Sequence, residues 1–306
     1  MSKDNFNTPV LFLIFNRPHF TKKVFEAIRE AQPTQLFIAA DGPRQNRDEE
    51  KALCDKTREI ASSIDWNCEV KTLFRDQNLG CGIAVSTAIS WFFSHVEQGI
   101  ILEDDCLPSA SFFPFCEEIL SLYKNDSRIT SVCGANLLGK WQRGSDSYFF
   151  SREAGIWGWA TWKRAWDQYD YFVTRWKPEI MDIFKMQFDN PVHRDMYVRV
   201  LDKIVATKQA PTWDYQWIFS VIINSCFGII PNVNLISNIG FGEHSTHTSK
   251  DDSNLGNLPV YNIHFPMSHP LLIMVDREFD IKLNNTFYKT VKKNNILKKI
   301  LNKITS

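Results

Sequence analysis

The chain of 306 residues lacks the features of a membrane-spanning or secreted protein. No apolar run approaches the roughly 20 residues that cross a bilayer, and the polar N-terminus, residues 1–8, has no signal-peptide core. The seven cysteines are odd in number and never spaced as CxxC, which is typical of reduced thiols and excludes a disulfide scaffold or a zinc ribbon. We therefore expect a cytoplasmic protein, soluble or peripheral at the inner face of the membrane.

The chain also lacks a net charge, because 35 Lys and Arg residues balance 35 Asp and Glu residues. A balanced chain does not coat a polyanion through bulk charge, so we expect no nucleic-acid partner. With 44% hydrophobic and 13% aromatic residues, the chain can fold around a substantial core. The length fits one large α/β domain, or one domain with an added segment.

The charge is uneven along the chain. Seven lysines and no acid occur from Lys282 to the end, which leaves 28 bases and 35 acids, a net charge of −7, in residues 1–281. Apolar residues of this tail recur at helical spacing between lysines, namely Ile296, Leu297, Ile300, Leu301 and Ile304. The pattern predicts a basic amphipathic helix, which either lies on an anionic membrane surface or docks on its own domain.

Short apolar runs alternate with helical patterns in the first half of the chain. Strands are predicted at 10–15, 36–40, 69–74, 99–102 and 129–133, and helices at 19–31, 47–64, 83–98 and 112–124. This alternation predicts an α/β fold, with a mostly parallel, Rossmann-like sheet flanked by helices. Ligands of such sheets bind beyond the carboxyl ends of the strands.

Polar residues directly follow four of the predicted strands. They are Asn16 and Arg17, then Asp41, then Arg75, and finally Glu103, Asp104 and Asp105. Each group alone fits ordinary turn chemistry. Because parallel strands end at the same edge of a sheet, we expect the four groups to converge there and form a site.

The acidic triplet, Glu103, Asp104 and Asp105, follows an apolar strand without a break. Adjacent like charges at the end of a buried strand are costly unless a cation or hydrogen-bond donors compensate them. Hard carboxylate oxygens suit Mn²⁺ or Mg²⁺, and an ion held there would neutralise a diphosphate. The alternative is a helix N-cap with a solvated acidic turn.

The order of strand, Asp-Gly turn, Asn-x-Gly loop, helix and IILEDD resembles the nucleotide-diphospho-sugar glycosyltransferases of the GT-A fold. The later motifs TSVCGAN, GIWGWATWKRAW and WDYQW are similar in order to those of the N-acetylglucosaminyltransferase that begins complex N-glycan branching, and of bacterial family-2-like sugar transferases. The resemblance spans residues 10–245. It implies a GT-A domain at 8–250, with a nucleotide-binding half at 8–135 and an acceptor-binding half at 136–250, followed by a C-terminal extension at 251–306.

The resemblance implies roles for the acids. Asp105 matches the metal ligand on the donor diphosphate, while Glu103 and Asp104 would contact the waters of the metal and the hydroxyls of the donor. A further ligand often comes from the C-terminal side of the domain in this family, and His247 is the candidate here. Its alternative is a solvent-facing position in a loop.

The resemblance also implies contacts to the nucleotide. Asn16, Arg17 and Asp41 match the places where this fold holds the base and the ribose. Arg75 is a candidate contact to the donor phosphate or base, with a helix-capping or surface role as the alternative.

The WDYQW segment is similar to the WDDW segment that carries the general base of the resembling enzyme, so Asp214 is the predicted base. Tyr215 replaces the second acid of that motif. A base there would deprotonate the acceptor hydroxyl in a single inverting displacement, whereas the alternative role of Asp214 is a helix N-cap. Of the four tryptophans in residues 155–166, we expect at least two in the core and the others beside the sugar.

These features predict a metal-dependent glycosyltransferase with Mn²⁺ or Mg²⁺ as its cofactor. It would move a sugar from a nucleotide-diphospho-sugar, in the first place a UDP-sugar, to a glycan or lipid-linked acceptor. A catalytically silent sugar-nucleotide or glycan-binding module is the alternative. A sugar-phosphate nucleotidyltransferase is disfavoured, because the first strand ends in FNRPH and not in a glycine-rich loop with a lysine.

Overall fold

The computed structural model describes residues 6–153, 155–241 and 255–294, with side chains as far as residue 286. The strands are β1 Val10–Ile14, β2 Gln35–Ala40, β3 Glu69–Phe74, β4 Gln98–Glu103, β5 Cys106–Pro108, β6 Ile129–Cys133, β7 Tyr148–Ser151, β8 Trp159–Trp162, β9 Phe227–Pro231 and β10 Ile236–Asn238. The helices are α1 Pro18–Ala31, α2 Asp48–Ala61, α3 Gly80–Phe93, α4 Phe112–Leu122, α5 Lys163–Trp166, α6 Pro178–Lys185, α7 Pro191–Thr207, α8 Asp214–Ile223 and α9 Arg277–Asn294.

The main sheet has eight strands in the described chain, in the order β3-β2-β1-β4-β8-β6-β9-β7. Strands β1 to β4 are parallel, β6 and β9 run in the same direction, and β7 and β8 run against them. Helices cover the sheet, so the predicted α/β, Rossmann-like fold with a mainly parallel sheet is confirmed. The short pair β5 and β10 lies directly after the acidic triplet.

The central strands form where the sequence is continuously apolar. All five residues of β1 are buried, as expected for a parallel strand covered on both faces. Helix α1 begins with Pro18 and buries Thr21, Val24, Phe25 and Ile28, whose spacing of three or four places them on one face. Strand β3 ends the sheet on one side, and its exposed polar residues suit an edge.

The second half adds a helical unit with a core of its own. Helices α6, α7 and α8 enclose buried aromatic and aliphatic side chains: Val173, Trp176, Phe184, Val200, Leu201, Ile204 and Phe219. This unit belongs to the half predicted to bind the acceptor, and that role stays a prediction.

The chain after the predicted boundary at residue 250 packs against the sheet where it is described. Ile263 and Met267 are buried in the main core, while Phe279 and Leu283 of α9 pack with Phe149 and others. The amphipathic helix predicted at 296–304 lies outside the described residues. Among the described helices, none combines the length and the apolar character needed to cross a bilayer.

A half-buried carboxylate just after β7, that of Glu153, contacts α9 and predicts a pH-dependent stability. Asn284 Nδ2 donates to Glu153 Oε1 at 2.7 Å. Burial raises the pKa of Glu153 from 4.5 to about 7. Between these two pKa values the folded protein keeps a proton that the unfolded chain releases. The contribution of Glu153 to the stability of the folded state is therefore complete below about pH 4.5 and is lost as the pH rises to about 7. The loss is at most ~1.4 kcal/mol per pH unit.

Urea unfolding of the wild type and Glu153→Gln between about pH 5 and 7 tests this expectation. The wild type should lose stability relative to the variant as the pH rises. Burial lowers the pKa of His193 to about 4, which gives the opposite slope. Because Asn284 contacts both His193 and Glu153, the comparison is repeated in a His193→Gln background. If the difference in unfolding free energy between the wild type and Glu153→Gln did not change with pH, the expectation would be contradicted.

Candidate functional site

A pocket of about 320 Å³ lies at the carboxyl ends of β1, β2 and β4, beside the start of α3. Five of the predicted site residues line it: Arg17, Asp41, Arg75, Glu103 and Asp104. We call it the sheet-edge pocket. Its volume lies at the lower end of the range of about 300–1,000 Å³ that is usual for small-molecule sites. The structure thus brings the polar ends of the parallel strands together, as the topology requires.

One wall of the sheet-edge pocket is apolar and made of small side chains. Leu13 and Ala39 of the strands face Ala84, Val85 and Ala88 of α3 across it. Small residues on the helix leave an apolar space between helix and sheet, and charged groups surround the rest of the pocket. A flat ring with a polar substituent matches this division.

The acidic triplet is held by an arginine from the neighbouring strand end. Arg17 Nη2 and Nε donate to both carboxylate oxygens of Asp104, and Arg17 Nη1 donates to Asp105 Oδ2 at 3.0 Å. Asp104 is only 3% exposed. The sequence predicts compensation by a cation or by hydrogen-bond donors, and the structure shows that Arg17 supplies donors and one positive charge.

One guanidinium does not balance three carboxylates. Burial, followed by the charges of Asp105 and Asp104, raises the pKa of Glu103 well above its ordinary value. Burial also raises the pKa of Asp104, against the effect of Arg17. Burial acts to lower the pKa of Arg17, but the two aspartates raise it overall. Because Arg17 pairs with both Asp104 and Asp105, one guanidinium faces two carboxylates, and the negative charge left over favours a further cation.

Asp41 connects the end of β2 to the loop before α3. Its carboxylate accepts from the backbone N–H groups of Gly42, Leu79 and Gly80 and from Asn78 Nδ2, at 2.9 to 3.1 Å. Asp41 thus holds the loop that begins α3, a contact that the sequence did not indicate. A direct contact of Asp41 with the nucleotide stays a prediction.

Two further arginines face the sheet-edge pocket. Arg44, which sequence reasoning missed although it follows the Asp41 turn, pairs with Glu50. Asn16 also donates to Glu50, at 2.9 Å, and does not line the pocket. Arg75 donates to Thr87 Oγ1 at 2.7 Å and has no carboxylate ion partner within 4 Å among the described residues. Of the three arginines of the pocket, Arg75 is therefore the one available for an anion.

Asp105 lies next to the pocket, between β4 and β5. A Cβ added to Gly240 would lie 2.3 Å from Asp105 Oδ2, so the chain after β10 passes directly over this carboxylate. Asp105 Oδ1 receives only a weak thiol contact from Cys106, at 3.6 Å. His247 lies outside the described residues.

The described side chains fit a divalent ion that is bound partly by the protein and partly by its ligand. No group of three or more His, Cys, Asp and Glu residues in that part of the chain is arranged to hold a metal. Mg²⁺ is commonly bound through one or two carboxylates and the phosphates of its ligand, without an all-protein cage. Asp105 offers such a carboxylate, so the donor set fits an ion that arrives with a diphosphate.

Asp214 is the first residue of α8, close enough to the acidic triplet to act on the charge of Glu103. Thr212 Oγ1 donates to Asp214 Oδ1. A Cβ added to Gly82 of α3 would lie 2.5 Å from the carbonyl oxygen of Ala210. Because Gly82 has no side chain, the segment before α8 can pack closely against α3. The predicted base thus lies at the same edge of the sheet as the pocket.

Tryptophans hold the start of α8 in place. Trp213 stacks on Trp159 with ring centroids 5.6 Å apart, and Trp217 packs against Trp159 and Trp166. Trp159, Trp162 and Trp166 are buried, which confirms that at least two of the four tryptophans belong to the core. Trp157 is the half-buried one, and it contacts Phe241 at 5.5 Å.

No family model and no curated protein matches the chain. Among solved structures, HddC from Yersinia pseudotuberculosis matches with 15% identity and a TM-score of 0.32, over 51% of this chain and 77% of that one. A UDP-glucose pyrophosphorylase complexed with UDP-glucose matches with 10% identity and a TM-score of 0.29, over 53% and 78%. S. aureus TarS 1-349 matches with 8% identity and a TM-score of 0.33, over 51% and 47%. Similarity at this level gives no information about the activity of this chain.

Proposed function

We propose that the chain is a metal-dependent glycosyltransferase that uses a nucleotide-diphospho-sugar, in the first place a UDP-sugar, and a glycan or lipid-linked acceptor. The observation that carries the proposal is the acidic triplet at the end of β4, next to a pocket with an apolar wall and guanidinium groups. A nucleotide diphosphate has a flat base, a polar ribose and two phosphates. The pocket offers a complementary environment for each of these parts.

The donor is bound by residues of the strand ends. The base enters between the small residues of α3 and the strands, with Asp41 and its loop at the polar rim. Arg75 contacts a phosphate or the base, because it lacks a carboxylate ion partner in the described chain. Arg17 can exchange its contact with one aspartate for a contact with a phosphate oxygen. A guanidinium can form two parallel hydrogen bonds with a carboxylate or with a phosphate.

Asp105 is the residue that would hold a divalent cation, with Glu103 and Asp104 beside it. Mn²⁺ or Mg²⁺ bound there would neutralise the charge of the leaving diphosphate. His247 stays a proposed additional ligand. The pairing of one arginine with two aspartates, which leaves a negative charge unbalanced, supports this assignment.

Asp214 removes the proton from the acceptor hydroxyl. Its carboxylate is oriented by Thr212 and by the tryptophans around the start of α8. A base on one side of the sugar and a neutralised diphosphate on the other give a single displacement, with inversion at the anomeric carbon. The helical unit of α6 to α8 would contact the acceptor.

A thermal-shift panel of nucleotide sugars, with and without Mn²⁺, tests the proposal. We expect a UDP-sugar with Mn²⁺ to raise the melting temperature, because a ligand at 100 times its Kd stabilises the folded state by ~2.7 kcal/mol. The same donors should then release UDP in the presence of an acceptor extract. Asp55→Asn, an exposed change on α2, is a control that should leave both results unchanged.

Two other results would contradict the proposal. Release of pyrophosphate from a nucleoside triphosphate and a sugar 1-phosphate, without transfer from nucleotide sugars, would identify a nucleotidyltransferase. Donor binding without turnover across a broad acceptor panel would favour the silent binding module.

A further inference from the structure

Arg17 connects the sheet-edge pocket to the far end of the acidic triplet. It lines the pocket together with Glu103 and Asp104, whereas Asp105 does not. The guanidinium group nevertheless reaches Asp105, because Arg17 Nη1 donates to Asp105 Oδ2 at 3.0 Å. A ligand in the pocket can therefore contact Arg17 directly and can act on Asp105 through it.

The contacts of Arg17 close the carboxylate that is proposed to hold a divalent cation. Nε and Nη2 of Arg17 donate to Asp104, and Nη1 occupies one oxygen of Asp105. None of these three side chains is more than 19% exposed, so little water screens their charges. A cation on either oxygen of Asp105 would lie next to the guanidinium and be repelled by it.

The charges of this group favour the entry of a cation and a diphosphate together. Arg17 carries +1 and the ionised Asp104 and Asp105 carry −2, which gives a net charge of −1. A divalent cation alone reverses the sign of that charge, and a diphosphate alone makes it much more negative. When both enter, their charges largely cancel, so each lowers the electrostatic cost of binding the other.

A phosphate can take over one contact of Arg17 without releasing the side chain. The two bonds to Asp104 can stay, so that only Nη1 has to change its acceptor from Asp105 to a phosphate oxygen. Guanidinium groups bind phosphate and carboxylate oxygens in the same geometry. The change frees Asp105 Oδ2 and places a negative charge next to the guanidinium.

We propose that Arg17 makes the binding of the cation depend on the binding of the diphosphate. In the free protein the guanidinium keeps a divalent cation away from Asp105. A diphosphate in the sheet-edge pocket draws Nη1 away, and the carboxylate then accepts the cation. The inference rests on the proposed function and adds how the same site is regulated: the protein takes up the cation with the donor and not before it.

Mn²⁺ binding to the full-length protein tests the proposal, with the EPR signal of the free ion as the readout and UDP and uridine as probes. Saturating UDP should tighten the binding of Mn²⁺ to the wild type by about 10–100-fold. A sample without protein corrects for Mn²⁺ that UDP binds alone. Uridine has no phosphate and should leave the affinity for Mn²⁺ unchanged. Mn²⁺ should in turn raise the affinity for UDP by the same factor, because coupling between two ligands is reciprocal.

Arg17→Gln separates the effect of Arg17 from a direct bond between the cation and the phosphates. That bond is available in both proteins, so a coupling factor that arises from it alone would be equal in both. We expect the factor to be about tenfold smaller in the variant, because Mn²⁺ then binds more tightly without UDP. Arg17→Lys is a second variant that keeps the positive charge. Its single ammonium group cannot pair with both aspartates as the guanidinium does, so its coupling factor should lie between the other two.

Arg75→Gln is the matched control, because it removes a guanidinium group from the same pocket. Arg75 donates to Thr87 and forms no hydrogen bond or ion pair with the acidic triplet in the part of the chain that the structure describes. The variant should bind UDP more weakly, and its affinity for Mn²⁺ without UDP should equal that of the wild type.

The outcomes distinguish this inference from the proposed function. Equal Mn²⁺ affinity of the wild type with and without UDP would overturn the inference alone, as would equal coupling factors in the wild type and Arg17→Gln. A gain of Mn²⁺ affinity in Arg75→Gln as large as that in Arg17→Gln would also overturn it, because any arginine of the pocket would then repel the ion. If neither UDP nor a UDP-sugar binds, with or without Mn²⁺, the proposed function fails and the inference fails with it.

Discussion

Replacing Asp214 with Asn is expected to lower turnover by about 10²–10⁴-fold, while the affinity for the donor changes by less than about twofold. The amide keeps the size of the side chain but cannot accept the proton of an acceptor hydroxyl. Because Asp214 begins α8 and does not line the sheet-edge pocket, its replacement should leave the affinity for the donor nearly unchanged. Steady-state kinetics and donor titration of the same protein measure both quantities.

The contacts of Asp214 indicate why the effect should be specific. Thr212 donates to its carboxylate, and Tyr169 donates to the carbonyl oxygen of Trp213 at 3.0 Å. These contacts hold the start of α8 and orient the carboxylate of Asp214. Thr212→Val should therefore lower turnover less than Asp214→Asn does, since it disturbs only the orientation of the base.

Asp55→Asn provides the matched control, because it makes the same change on an exposed part of α2. Its turnover should equal that of the wild type. Near-normal turnover of Asp214→Asn would exclude Asp214 as the base, and an equal loss of donor affinity and turnover would show that it acts on binding.

The central strands are the part of the fold that the sequence predicts most closely. A parallel strand buried on both faces is a continuous apolar run, so β1 and β2 differ from their predictions by one residue at one end. Helix α3 begins at Gly80 and ends at Phe93, while 83–98 was expected. Its first turn contains two glycines that no helical pattern indicates, and β4 already begins at Gln98.

The location of the site follows from the topology, but its contacts do not. Parallel strand ends must converge, so Arg17, Asp41, Arg75 and the acidic triplet could be placed at one edge. The bonds from Arg17 to Asp104 join residues 87 positions apart, and no local pattern shows which groups will pair. For the same reason the partners of Asp41 in the α3 loop were not indicated.

The packing of the chain after residue 255 also could not be predicted. Its apolar residues, including the unbroken run at 271–275, follow neither a helical nor a strand period, so no pattern marks a buried face. The structure attaches it to β7 through backbone bonds and through Asp276, which accepts from Trp141 Nε1 at 2.7 Å and from Arg143. Contacts of this kind depend on a sheet edge that local sequence does not reveal.

Replacing Arg17 with Gln is expected to lower the free energy of unfolding by about 3–5 kcal/mol in the absence of a metal. The variant leaves Asp104 and Asp105 side by side without the guanidinium that donates to both. Asp104 is nearly inaccessible, so water cannot replace the lost contacts. Urea unfolding with EDTA measures the loss.

Arg29→Gln is the matched control for this change. Arg29 forms a two-pronged pair with Asp65, but both side chains are about half exposed. Its loss should destabilise the protein much less than Arg17→Gln does, because solvent screens a surface pair. The comparison separates the effect of burial from that of removing any arginine.

Addition of Mn²⁺ separates two contributions of Arg17 to stability, namely its positive charge and the packing of its side chain. If the acidic triplet needs a cation, Mn²⁺ should restore part of the stability of Arg17→Gln and none of that of Arg29→Gln. Removing a positive charge next to Asp105 should also raise the affinity for Mn²⁺ without a donor by about tenfold or more, as calorimetry would show. The contradicting outcome is an Arg17→Gln variant that is as stable as the wild type and shows no change in stability or heat on addition of Mn²⁺. The triplet would then be a solvated acidic turn, and the proposed metal site would have no physical basis.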